Sequence, residues 1–116
     1  MAIEVISVPR PAWSPLPFEG CRDVEGKVFL AQERLTLAML RFSKDATIHE
    51  HAAEHDIDVI CVEGSGRMTV GDEQAALQAG QRVRWPANVA HRLWTEGEEM
   101  VTLMVEHHAS RKNPGR

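Results

Sequence analysis

Three of the six histidines, His49, His51 and His55, fall within seven positions, and a fourth, His91, opens a later strand-like run. Neutral imidazole is the commonest side-chain metal ligand, so this clustering points to a site rather than to scattered core or surface residues. In Thr47-Ile48-His49-Glu50-His51 the two histidines stand at i and i+2. A strand repeats its side-chain direction every second residue, so both rings face the same side. If that side is a barrel interior, two adjacent imidazoles are costly unless charged, hydrogen-bonded or metal-bound. His55 follows across Ala52-Ala53-Glu54, a gap long enough for the chain to turn into the next strand. If Ile57, Val59 and Cys61 face inward there, the same parity turns His55 inward and Asp56 and Asp58 outward. Ile60 and Val62, on the opposite set, are also apolar.

Other chemistries are poorly supplied. The chain has no tyrosine, which removes any phenolic acid, base or radical carrier. Cys21 and Cys61 are isolated, as in a reducing compartment, and Cys61 within Val59-Ile60-Cys61-Val62 reads as a small buried hydrophobe. His107 and His108 precede a polar tail and read as a solvated end. With 13 basic against 17 acidic side chains and no basic block, the net charge of −4 argues against nucleic acid or an anionic membrane as partner. The N-terminus has no basic, apolar leader pattern, and no run approaches the roughly 20 apolar residues of a membrane span, so the expected setting is cytoplasmic.

The elements that must position the histidines are short strands. With 116 residues the chain suits one domain with a single core. Residues 27–30, 35–42 and 47–51 are strand-like, followed by 58–63 and 67–70 with Gly64-Ser65-Gly66 bending the chain between them. Residues 74–78, 82–85, 91–94 and 100–105 complete the set, and no amphipathic helix is expected. Pro86 ends a strand, Asn88 tolerates the left-handed conformation of a tight turn, and His91 begins the next strand. Four prolines between residues 9 and 17 should hold an extended arm, whose Trp13, Leu16 and Phe18 lie along the barrel or on a partner subunit. The expected organisation is an arm and first strand over 1–25, a barrel over 26–108 and a disordered tail over 109–116.

The two histidine segments resemble the motifs of the cupin superfamily, G-x5-H-x-H-x3,4-E-x6-G and G-x5-P-x-G-x2-H-x3-N. Gly80, Pro86 and His91 match the second motif in spacing, while Asn88 replaces its second glycine and Thr95 its final asparagine. His49, His51 and Gly64 match the first. Ser43 replaces its opening glycine, and the position of its glutamate falls on His55 or Asp56 counted from His51, or on Ile57 counted back from Gly64. The resemblance covers residues 34 to 106 and implies an all-β fold, a double-stranded β-helix or jelly roll. It also implies a divalent transition metal held by His49, His51, His91 and His55, with Glu54 and Asp56 ranked behind His55. An all-histidine set favours iron, nickel, copper, zinc or manganese over magnesium or calcium.

Among cupins, the three-histidine arrangement resembles the thiol and diketone dioxygenases. The resemblance therefore implies oxygenation or oxidative cleavage of a small molecule. A general base would have to be a carboxylate, Glu54 or Glu50, or a histidine, because the phenol is missing. The competing readings are a non-catalytic sensor or binding module and an isomerase-type cupin. By alternation, Phe29, Met39, Met68, Val83, Trp85 and Leu93 face inward as core or wall of an apolar, small-molecule cavity, whereas Arg82, Arg84 and Arg92 face solvent. Small cupins commonly exchange N-terminal strands, so the resemblance and the arm together imply a homodimer.

Overall fold

A computed structural model describes residues 3–108; the tail expected over 109–116 lies outside them. The described chain is all β. Its strands are β1 (Ser14–Pro15), β2 (Arg22–Ala31), β3 (Leu35–His51), β4 (Asp56–Val70), β5 (Glu73–Gln78), β6 (Arg82–Trp85), β7 (His91–Trp94) and β8 (Met100–His107). Among the described residues no helix is long and apolar enough to cross a membrane.

Two long strands organise the rest. The first part of β3 pairs with β8, from Leu35↔His107 to Phe42↔Met100, and its end pairs with β7 at Thr47↔Trp94 and Ile48↔Leu93. In β4, Asp56 to Gly64 pairs with β8, and Arg67 to Val70 with β7. The circuit β3, β8, β4, β7 and back to β3 is closed, so these strands present no free edge to one another. β2 and β1 extend the β3 side, while β6 and β5 flank the two halves of β4. This is the double-stranded β-helix, a jelly-roll barrel, that the histidine motifs imply.

The runs 35–42 and 47–51 are one strand, and so are 58–63 and 67–70. Each strand serves both sheets by bending between them. In β3 the bend is residues 43–46, where the partner of β2 jumps from Phe42 to Thr47. Buried Thr95 pins it: the Ala46 N–H donates to Thr95 Oγ1 at 2.9 Å, and that hydroxyl donates to the Ser43 carbonyl at 2.6 Å. In β4 the bend is Gly64, whose φ of 77° suits glycine and where a Cβ would overlap the Glu99 carbonyl oxygen. Asn88, with φ 63°, makes the left-handed turn expected before His91.

The core lies inside the barrel. Phe42, Val59, Leu77, Trp85, Leu93 and Met100 are among its fully buried side chains, each contributing about 1.5–3 kcal/mol by burial. The inward set of β4, Ile57, Val59 and Cys61, is buried as its parity predicts. Burial also pushes the Cys61 thiol pKa up, in keeping with an unreactive core residue.

Expectation fails for two residues of the proposed wall. In β3 it is Ala38, Leu40 and Phe42 that point into the core. Met39 takes the opposite parity, and with Phe29 it lines a shallow hollow together with Val8, Pro9 and Pro11 of the arm. The arm thus covers the outer face of β2 and β3, which is why apolar residues occupy both sets. The Lys27 ammonium and the Arg41 guanidinium each lie over the Trp13 ring, 4.6 Å from its centroid, and β1 then pairs with β2 through Ser14↔Gly26.

Candidate functional site

His49 and His51 project from the end of β3 on the same side, with ring centroids 4.7 Å apart. β7 lies beside that end, at His51↔His91, and places His91 edge-on to His51 at 4.5 Å. His91 is wholly buried, stacked on the Trp85 indole with ring centroids 3.9 Å apart. Trp85 ends β6 before Pro86, so the turn through Asn88 returns the chain beneath its own tryptophan.

The nitrogen atoms are set for metal binding. The carbonyl of His49 can only accept, so His51 Nδ1 donates to it at 2.9 Å and the neutral ring keeps its lone pair on Nε2. That Nε2 lies 3.3 Å from His91 Nε2. Two nitrogens bound at about 2.1 Å to one tetrahedral ion stand about 3.4 Å apart, so this pair already has ligand spacing. Burial, reinforced by His51, pushes the His91 pKa down to about 4, which keeps the ring neutral at pH 7, with one nitrogen lone pair free to bind. His49 Nδ1 lies 3.4 Å from Cys21 Sγ. The chain segment before β2 packs tightly here: Gly20 has φ 91°, and a Cβ on it would sit 2.6 Å from the Cβ of His49. His51 and His91 therefore have the spacing of two ligands of one borderline divalent ion, with His49 stacked beside His51 and backbone and thiol partners orienting the rings; among the described residues, the three do not each bring a nitrogen within 4.8 Å of the other two.

His49 and His51 open onto a cavity of about 420 Å³, and His91 lies buried behind them, stacked on the cavity-lining Trp85. Its wall is mainly apolar, with Ala38, Leu40, Ile48, Ile57, Trp85 and Met104 from the barrel. Residues 14–18 of the arm form the outer side, where Leu16 comes close to the space left by Gly26. Of the proposed wall, Trp85 lines the cavity, whereas Met68 and Leu93 are core.

His55 stands elsewhere. Its Nε2 bonds Glu106 Oε1 at 3.1 Å and its ring packs on His108 at 4.5 Å. Counted back from Gly64, the glutamate position of the first motif falls on Ile57, and Ile57 is the residue of β4 that lines the cavity. Glu50 and Glu54 are exposed. Asp56 is engaged outside, accepting from the Ala87 N–H at 2.8 Å and pairing with Arg84. The carboxylate on the cavity wall is Glu106, directly across the β4–β8 ladder from Ile57. The expected run 100–105 stops short of it, but β8 continues to His107, and the alternation that turns Thr102 and Met104 inward places Glu106 with them.

His107 and His108 are not a solvated end. His107 completes β8 and bonds the buried Asp58 carboxylate at 2.8 Å; His108 Nε2 bonds Thr36 Oγ1 at 2.8 Å. Arg84 grips Asp58 with two bonds, 2.7 and 3.0 Å, and exposed Arg82 adds a longer one. The Arg84 guanidinium, with His107 beside it, holds the Asp58 carboxyl down to about 2. Arg82 and Arg84 thus face outward as alternation requires, while Arg92 lies half-buried over Trp94.

Among solved structures, the chain is similar to the polyketide cyclase RemF from Streptomyces resistomycificus, with a TM-score of 0.80 and 15% identity over 93% of this chain and 81% of that one. It is also similar to KdgF from Halomonas sp., at TM-score 0.76 and 16% identity over 88% and 90% of the two chains. An RmlC-like cupin from Shewanella frigidimarina superposes at TM-score 0.70 with 20% identity, over 78% and 80%. At these identities the likeness is one of fold. No curated protein matches the chain in sequence. Residues 39–106, from the middle of β3 to Glu106, match the family described as Cupin domain, and with the barrel and both histidine segments inside that match, the chain belongs to the cupin family.

Proposed function

We propose that this cupin is a metal-dependent enzyme that oxygenates or oxidatively cleaves a small, mostly apolar molecule. The observation that carries the reading is the His51–His91 pair, with nitrogens 3.3 Å apart and His49 stacked beside it, at the end of an apolar cavity that His49 and His51 line. A divalent iron, nickel, copper, zinc or manganese ion bound there would supply a Lewis acid or redox centre. The chain's own residues do the rest. Ile48, Ile57 and Met104 exclude water, and the arm from Ser14 to Phe18 closes the outer side of the pocket. Trp85 offers a buried indole N–H with no acceptor among the described residues, a donor suited to a ligand oxygen.

The test is metal analysis of protein purified without added metal, followed by oxygen-uptake screening. Bound iron, copper or nickel with substrate-dependent uptake is expected, and His49→Ala or His91→Ala should abolish both. Unchanged metal content in those variants would refute the site.

A second reading, cyclisation or isomerisation without oxygen, is favoured by the likeness to a polyketide cyclase over 93% of the chain together with the apolar cavity. It predicts turnover that is metal-dependent but unaffected by removing oxygen. In either case the arm supports a homodimer: Ile3, Val5 and Ile6 are 92%, 89% and 70% exposed, apolar surface that a second copy would cover. Sedimentation of the full chain against one lacking residues 1–12 tests this.

A further inference from the structure

We infer that His55, Glu106 and His108 form a second divalent-metal site, separate from the His49, His51 and His91 centre. One ligand atom from each lies within 4.8 Å of the other two, and the His55 Nε2 to Glu106 Oε1 distance is 3.1 Å. Ligands of one tetrahedral ion stand about 3.4 Å apart, so modest side-chain rotation closes the set.

The barrel's register builds it. Asp56 pairs with His107 and Ile57 with Glu106, which brings the residue before β4 and the residue after β8 side by side. His108 is then fixed twice: its backbone N–H donates to the Arg34 carbonyl at 2.9 Å, and its Nε2 bonds the Thr36 hydroxyl at 2.8 Å. With Nε2 held by that hydroxyl, Nδ1 is the nitrogen left for a ligand, and a second-sphere partner of this kind is what metal-binding histidines usually have. His55 and Glu106 are 25% and 29% exposed, dry enough to strengthen a metal–ligand bond and open enough for an ion to enter. Two imidazoles and one carboxylate select a borderline divalent ion over magnesium or calcium and leave a position for water. The nearby Asp58 carboxylate is committed to Arg84 and His107 on the outer face and does not compete.

The inference does not depend on the proposed oxygenase chemistry, and zinc content separates the two. Metal-stripped full-length protein is loaded with zinc, dialysed and analysed, alongside Glu106→Gln, His108→Ala and a His49→Ala/His91→Ala double variant. Glu106→Gln and His108→Ala should each hold one equivalent fewer than wild type, and the double variant should retain that equivalent. Unchanged zinc in both single variants overturns the site. So does loss of all zinc from a folded double variant, which would mean one shared centre. Where a variant does not fold, the wild-type ring-proton spectrum decides: zinc should shift His55 and His108 resonances, and their indifference to zinc refutes the inference.

Discussion

Asp58→Asn provides a direct test of what holds the site together. The Asp58 carboxylate is buried on the outer side of β4 and ties β6 through Arg84 and Arg82, and β8 through His107. Those strands carry Trp85 and Glu106 on their inner sides, so the outer ion pairs fix the register of the inner wall. A fall in pKa from 3.8 to about 2 corresponds to about 2.4 kcal/mol at about 1.36 kcal/mol per unit. Arg84 and Arg82 are 46% and 62% exposed, and solvent screening reduces the figure to about 1–2 kcal/mol. Because the folded-state pKa is depressed, this stability is fully present above about pH 4 and disappears as the pH falls through about 2. Urea unfolding followed by tryptophan fluorescence should show Asp58→Asn less stable than wild type by about 1–2 kcal/mol or more at pH 7, since Arg84 and His107 also lose their partner. The gap should narrow between pH 4 and pH 2, where wild type loses the pair as well. A gap that stays constant across that interval would refute the assignment of the depressed carboxyl to Asp58.

Three further substitutions probe the bends and the cavity wall. Gly64→Ala combines a positive φ with overlap on the Glu99 carbonyl and should cost about 2–4 kcal/mol; an unchanged denaturation midpoint would contradict the crossing geometry of β4. Thr95→Val removes the acceptor for the buried Ala46 N–H and should cost about 1–3 kcal/mol, with Thr95→Ser recovering most of it in the same assay. Ile57→Glu puts a carboxylate where the family's first motif carries one. Zinc competition should show the central site binding at least about tenfold tighter, equivalent to about 1.4 kcal/mol, although the metal-free protein loses stability from the buried charge. Equal affinity would place Ile57 out of reach of His49 and His51.

The parts of the fold legible in the sequence are those where local chemistry acts alone. The i, i+2 histidines needed only the strand period, Asn88 only its tolerance of positive φ, and the outward arginines of β6 only alternation. The failures share a cause. Alternation identifies an inner face only when the other face is wet, and the arm dries the outside of β2 and β3, so Met39 and Ala38 could not be told apart by hydrophobicity. The long strands looked like four because each bends at a residue whose role is set by a distant partner, Thr95 for β3 and Glu99 for β4. His107 and His108 looked solvated because their partners, Asp58 and Thr36, are 49 and 72 residues away.

The position of His55 follows from the same non-local logic. Counting forward from His51 assumes that the turn between β3 and β4 has the family's length, whereas counting back from Gly64 stays within one strand, where spacing is rigid. The structure agrees with the second count: Ile57 lines the cavity and His55 lies two residues earlier on the same side, past the end of the paired ladder. A turn longer by one or two residues therefore replaces the family's carboxylate with an aliphatic side chain and leaves His55 toward the strand end, beside Glu106 and His108. Neighbouring Glu106 remains within the same cavity wall, so a carboxylate is still presented to the pocket, supplied by β8 instead of β4. The donors thus lie in two adjoining clusters, the His49, His51 and His91 imidazoles of the two motifs in the barrel and a mixed histidine–glutamate set at its rim, and metal stoichiometry is the property in which that division would first appear.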